Sequence, residues 1–119
     1  MTHVFKDIEL FATACDQPAS PENYKMYLGL IDEEYGELVD AVLADDKVEQ
    51  LDALVDILVV TMGAIRAAGW DGEAAWVEVM KTNFAKIDFE TGKVRKREDG
   101  KVLKPQGWTA PNLVPFLKK

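Results

Sequence analysis

Ten carboxylates stand between Asp32 and Asp56, and their spacing turns several of them toward one another. At about 100° per residue, Glu33 and Glu37 lie one turn apart, Glu34 and Glu37 share a face, and Asp40 follows a further turn along. Such a set is a carboxylate claw. Further on, Asp52 and Asp56 are four residues apart with Glu49 on the same sector, and their neighbours Leu51, Ala53, Leu54, Val55, Ile57 and Leu58 are all apolar. Asp52 and Asp56 are therefore expected to have no easy route to water. A buried carboxylate without a partner is costly or takes up a proton, so the pair demands cations or strong hydrogen bonds. Lys47 and Arg66 are the only bases near in sequence, which leaves a divalent cation as the better compensator. Oxygen ligands, a lone Cys15 and a remote His3 suit a hard ion such as Mg²⁺ or Mn²⁺ and speak against structural zinc. A di-iron bundle needs Glu-x-x-His on two helices, and the chain has one histidine. The competing reading of Glu33, Glu34 and Glu37 is an ordinary solvated helix face.

These acids need helices to hold them, and the start and stop signals supply four. Thr2 is placed to cap a first helix through about Ala14, with Val4, Phe5, Ile8, Phe11 and Ala12 as its apolar stripe, ended by Asp16-Gln17-Pro18. Ser20-Pro21-Glu22 opens a second helix, striped by Tyr27, Leu30, Ile31, Leu38 and Val42, that runs to about Ala44. Asp45-Asp46 breaks and recaps the chain before a third helix, apolar on most sides, which ends ahead of Gly69. Asp71 is the expected cap of a fourth, from about Glu73 to Lys86, carrying Trp76, Val77, Met80 and Phe84 toward the core. The expectation is one all-α domain: a four-helix antiparallel bundle over residues 1–87 and an ordered basic C-terminal arm over 88–119. Two turns flank Val94 to Arg97 in that arm, and Trp108 to Phe116 is apolar enough to pack back onto the bundle or a neighbouring subunit.

The net charge of −7 is unevenly divided. Residues 1–80 hold 17 acids and 4 bases, whereas residues 81–119 hold 4 acids and 10 bases. An acidic body of this kind repels nucleic-acid phosphates and argues against a nucleic-acid partner, although the basic tail taken alone argues for one. With a single cysteine there is no intramolecular disulfide, and neither a long apolar run nor a basic-then-apolar start is present, so a cytoplasmic protein with no membrane partner is expected. Cys15, beside Phe11, reads as a small buried hydrophobe.

Glu33-Glu34-Tyr35-Gly36-Glu37 followed by an acidic apolar helix resembles the EExxE and ExxD pair of MazG-like and phosphoribosyl-ATP pyrophosphohydrolase-like enzymes. Asp56-Ile-Leu-Val-Val-Thr-Met-Gly resembles their second metal helix, Val79 to Lys86 their phosphate-facing helix, and Arg97 to Lys104 with Gly107-Trp108 their C-terminal arm. The likeness spans roughly residues 8–116. It departs at one point: three residues before Asp56 stands Ala53, so the pair is either Asp52 with Asp56 or the literal Glu49-x-x-Asp52. The aligned context favours Asp52 and Asp56.

The resemblance implies an all-α fold, a homodimer or homotetramer, and attack of water on a nucleotide polyphosphate. Glu34, Glu37, Asp52 and Asp56 would hold Mg²⁺, Glu33 would hold or deprotonate the water, and Lys81, Asn83 and Lys86 would reach phosphates or ribose. The basic segment from Lys93 to Lys104 would close over the polyphosphate, a flexible tail being the competing reading. Asp16 and Gln17, with Ile8 and Phe11, fall where the family tends to place base contacts, and a carboxylate there suits guanine. That favours a purine nucleotide such as (d)GTP, with dUTP, dCTP and phosphoribosyl-ATP as rivals and a catalytically silent metal- and nucleotide-binding module as the non-enzymatic one.

Overall fold

The computed structural model describes residues 3–118 as an all-α protein. Helices α1 (Val4–Ala14), α2 (Pro21–Leu43), α3 (Lys47–Ala67) and α4 (Gly72–Phe84) are followed by a two-stranded antiparallel ribbon, β1 (Ile87–Asp88) with β2 (Lys93–Val94), and a single 3₁₀ turn at Val114–Phe116. Two compact units arise, one of residues up to Gly72 and one of Glu73–Leu117. The expected Thr2 cap lies outside the described residues, and His3 occupies the N-cap position of α1.

In the first unit, local chemistry sets each helix boundary. Ser20 accepts the Asn23 N–H at 3.0 Å while Pro21 takes the first helical position, and Asp46 accepts the Glu49 N–H at 3.2 Å. At their C-termini α1, α2 and α3 all close with the paired return bonds of the Schellman motif, such as Asp16 N–H to the Thr13 carbonyl and Gln17 N–H to the Ala12 carbonyl. The residue that must turn left-handed is Asp16 (φ 58°), Asp45 (φ 53°) and Gly69 (φ 80°) respectively. The aspartates therefore hold positions usually given to glycine.

The core lies between α2 and α3, where Tyr27, Val60, Ala64 and Ala67 are buried and Tyr24, Leu30 and Ile31 pack around them. Gly63 makes the contact close, because a Cβ there would stand inside the Tyr27 ring. That contact also fixes the register of the hairpin. Seven residues on from Tyr27 along α2 is Glu34, and seven back from Gly63 along α3 is Asp56, so two turns in opposite directions bring the two acids level. The α1–α2 loop is tied to the end of α3 by the Ser20 N–H, which donates to the Ala67 carbonyl at 3.0 Å. Among the described residues no helix is long and apolar enough to cross a membrane.

Several burial expectations need correction. Cys15 and Phe11 are exposed, because the α1 residue that inserts is Ala12. Asp52 is exposed, as are Leu51, Leu54, Val55 and Leu58 beside it, because α3 buries its small residues Ala53, Gly63, Ala64 and Ala67 together with Val60. On α4 the buried residue is Thr82, while Trp76, Val77 and Phe84 face out. That helix also stops at Phe84 rather than Lys86, where the Lys86 N–H bonds back to the Asn83 carbonyl in a tightened turn.

Within the second unit the tail folds back onto α4. The Trp108 indole N–H donates to the Thr82 carbonyl at 2.7 Å, and the Asn112 N–H donates to the Glu78 carboxylate at 2.9 Å. Beyond the β1–β2 ribbon, a bridge between Lys96 and Val102 and the bond from the Leu103 N–H to the Arg95 carbonyl continue the antiparallel course around the Glu98–Lys101 turn.

Candidate active site

The α2–α3 hairpin brings together the acids that spacing singled out. The Glu34 carboxyl shares a hydrogen bond with Glu37, and this bond, with burial and the charges of Glu37, Asp56 and Glu33, pushes its pKa from 4.5 up to about 7. Burial raises Asp56 as well, aided by the charges of Asp52 and Glu37. Glu33, Glu37 and Asp52 thus each act on Glu34 or on Asp56. Glu49 does not figure in that group; it sits exposed in the first turn of α3.

The donor chemistry fits a hard divalent cation. One oxygen of Glu34 is sealed from solvent without a hydrogen-bond partner, and among the described residues none of the five acids forms a salt bridge. The two bases near in sequence are engaged elsewhere: Lys47 pairs with Asp45 at 2.7 Å, and the Arg66 guanidinium pairs with Glu9 and donates to the Gln17 backbone carbonyl at 2.6 Å. Among the described residues no three His, Cys, Asp or Glu side chains already stand at ligand spacing. Glu34 and Glu37 are bonded to each other instead, so closing on a cation requires Glu34 to give up its proton.

Of the residues expected at the base, Asp16 is exposed in the left-handed turn after α1, and Gln17 accepts the Tyr27 hydroxyl at 2.6 Å through its side-chain carbonyl. Burial, then the neighbouring Cys15, raises Tyr27, while Arg66 opposes the shift. On α4, Lys81 is exposed and lies 3.8 Å from Glu78, and just beyond the helix Lys86 donates to the Asn83 side chain at 3.0 Å. Sequence spacing missed two features. The Arg66–Glu9 pair is separated by 57 residues and carries no local signal, whereas the grouping of Lys86 and Lys104 around Trp108 is hinted at by the Lys-x-x-x-Trp spacing alone.

A family model described as phosphoribosyl-ATP pyrophosphohydrolase matches residues 9–83, which include most of α1, all of α2 and α3, and α4 as far as Asn83. The chain belongs to the phosphoribosyl-ATP pyrophosphohydrolase family. A search of curated proteins returned no match. As a member of that family it is a pyrophosphohydrolase of the nucleotide-phosphate kind, and the family is typically dependent on a divalent metal. The matched span contains all five acids of the phosphoribosyl-ATP pyrophosphohydrolase hairpin, along with Lys81 and Asn83.

The acid cluster has a consequence for stability in metal-free buffer. Folded Glu34 holds its proton more tightly than the unfolded chain does, so its contribution is full below about pH 4.5 and is lost as pH rises through about 7, with Asp56 acting in the same direction. In EDTA the melting temperature should fall between roughly pH 5 and pH 8, and Glu34→Gln should flatten that slope. Circular dichroism melts check this; a melting temperature that climbs across the same window contradicts it.

Proposed function

We propose that this chain is a nucleoside triphosphate pyrophosphohydrolase that cleaves its substrate to the monophosphate and pyrophosphate, with a purine nucleotide such as (d)GTP preferred. The observation that carries the proposal is the gathering of Glu34, Glu37 and Asp56 across α2 and α3, where Glu37 and neighbouring charges raise the pKa of Glu34 and of Asp56, in a pyrophosphohydrolase family member. Glu34, Glu37, Asp52 and Asp56 would hold Mg²⁺, or Mn²⁺ in its place. When bound, that ion supplies charge neutralisation for the leaving pyrophosphate and acidifies the attacking water. Glu33, one position before Glu34 and close enough to raise its pKa, positions the water and accepts its proton. Lys81, Asn83 and Lys86 keep the phosphate and ribose contacts that the resemblance implies, and Asp16 and Gln17 the base contacts. The Tyr27 hydroxyl holds the Gln17 side chain through its carbonyl, which leaves both N–H groups of the amide free to donate to a base.

The family description favours a second substrate, phosphoribosyl-ATP. Both reactions release pyrophosphate, so the deciding experiment is a panel of the eight common NTPs and dNTPs with phosphoribosyl-ATP, assayed in Mg²⁺, in Mn²⁺ and in EDTA. Metal-dependent pyrophosphate release from a nucleoside triphosphate, greatest for a purine, is the expected result. Release from phosphoribosyl-ATP alone would overturn the triphosphate reading, and release that survives EDTA would overturn the metal assignment.

The proposal includes a second copy of the chain. Leu51, Leu54, Val55 and Leu58 of α3 and Val42 and Leu43 of α2 are exposed, an apolar burden unusual for a monomer. Sedimentation should show a homodimer or homotetramer at micromolar concentration, and a monomer alone would contradict this.

A further inference from the structure

Gln17 is pinned at every polar group but one. Its backbone N–H donates to the Ala12 carbonyl at 3.0 Å, its backbone carbonyl accepts the Arg66 guanidinium at 2.6 Å, and its side-chain oxygen accepts the Tyr27 hydroxyl at 2.6 Å. The chain on either side is tied as firmly. Asp16 turns left-handed at φ 58°, the Pro18 carbonyl accepts the Asn23 side-chain amide at 2.7 Å, and the Ser20 N–H donates to the Ala67 carbonyl at 3.0 Å. What is left over is the Gln17 amide nitrogen, on a half-buried side chain and without a partner among the described residues.

A glutamine amide that turns over exchanges donor for acceptor with almost no change of shape, so an unheld glutamine reads either kind of partner. Here two neighbours select the oxygen end. The Tyr27 ring is buried against Gly63, and burial raises the pKa of its hydroxyl, which keeps its proton and donates it. Arg66, near enough to act on that hydroxyl, favours the amide oxygen over the N–H end at the same place. Both Gln17 side-chain N–H groups are thereby turned away from Tyr27. Asp16, next to it in the chain and exposed, is a carboxylate and offers acceptors. A donor beside an acceptor complements a ring carbonyl beside a ring N–H, the edge shared by guanine, hypoxanthine and uracil. Adenine and cytosine reverse both, with an amino group beside a bare ring nitrogen.

We propose that Tyr27 is a positioning residue for base discrimination: by holding the Gln17 oxygen it presents a donor-only amide that selects nucleotides with a keto base over those with an amino base. This rests on the base contact given to Gln17 in the pyrophosphohydrolase reading above, and adds to it a criterion independent of ring size. Because the amide is ordered before the base arrives, its ordering entropy is not charged to binding.

The test compares bases of equal size, inosine with adenosine and uridine with cytidine. Their triphosphates give kcat and KM in Mg²⁺, and their monophosphates, which have no pyrophosphate to lose, give affinities by calorimetry. Tyr27→Phe keeps the ring against Gly63 and removes the hydroxyl, whereas Gln17→Glu keeps an acceptor for that hydroxyl and removes both side-chain N–H groups. The natural chain should favour the keto member of a pair by about tenfold or more, through KM; the preference should fall about fivefold in Tyr27→Phe and vanish or reverse in Gln17→Glu. A hydroxyl that only tied the loop would lower the melting temperature of Tyr27→Phe and affect both members alike, leaving their ratio in place. Equal use of keto and amino members by the natural chain, or a ratio that survives Tyr27→Phe or Gln17→Glu, would overturn the proposal. Cleavage with such an indifferent ratio removes the positioning role and leaves the catalytic reading. If no triphosphate is cleaved but the monophosphates bind with a keto preference that needs Tyr27, the positioning role stands and the catalytic reading falls. Neither cleavage nor a keto preference in binding overturns both.

Discussion

Like charges forced together across a closely packed helical hairpin are the constraint on which this structure turns. Tyr27 against Gly63 sets how near α2 and α3 approach and in what register, and two turns away that register leaves Glu34 facing Asp56. The chain meets the resulting repulsion by keeping a proton between Glu34 and Glu37 and by burying one Glu34 oxygen that nothing satisfies. A carboxylate site tuned for stability alone would have recruited a lysine or arginine. Arg66 is on the same helix as Asp56, and it is spent on Glu9 and the Gln17 carbonyl, where it fastens the α1–α2 loop.

Most of the secondary structure is legible in the sequence because its boundaries rest on short-range chemistry. Ser20-Pro21, Asp45-Asp46 and Gly69 act within a few residues of themselves, and each boundary falls where those side chains or backbone preferences require. The meeting of Glu34 with Glu37 is legible for the same reason, three residues being close to one helical turn. Its extension to Asp56 depends on two acidic helices being adjacent and antiparallel, which the short joint at 44–46 makes nearly obligatory.

Burial is less legible, and the reasons are physical. An apolar stripe states that something must cover it, not that this chain does. Leu51, Leu54 and Leu58 form such a stripe, yet α3 meets α2 through Gly63, Ala64 and Ala67, where small side chains admit the Tyr27 ring. Asp52 follows the same rule: apolar neighbours that are themselves exposed do not desolvate a carboxylate. The grouping at Trp108 lies beyond local reasoning, since it needs Gly107 and the preceding turns to bring the tail back to the end of α4.

A divalent ion held by these acids would compete with the proton on Glu34 and offset the repulsion that the proton otherwise limits. Thermal melts at neutral pH across a Mg²⁺ and Mn²⁺ titration, with the natural chain beside Asp56→Asn, test this without reference to substrate. A concentration-dependent rise in melting temperature for the natural chain, absent or strongly reduced in Asp56→Asn, is the predicted result. A melting temperature indifferent to either ion, or an equal rise in the variant, would contradict it.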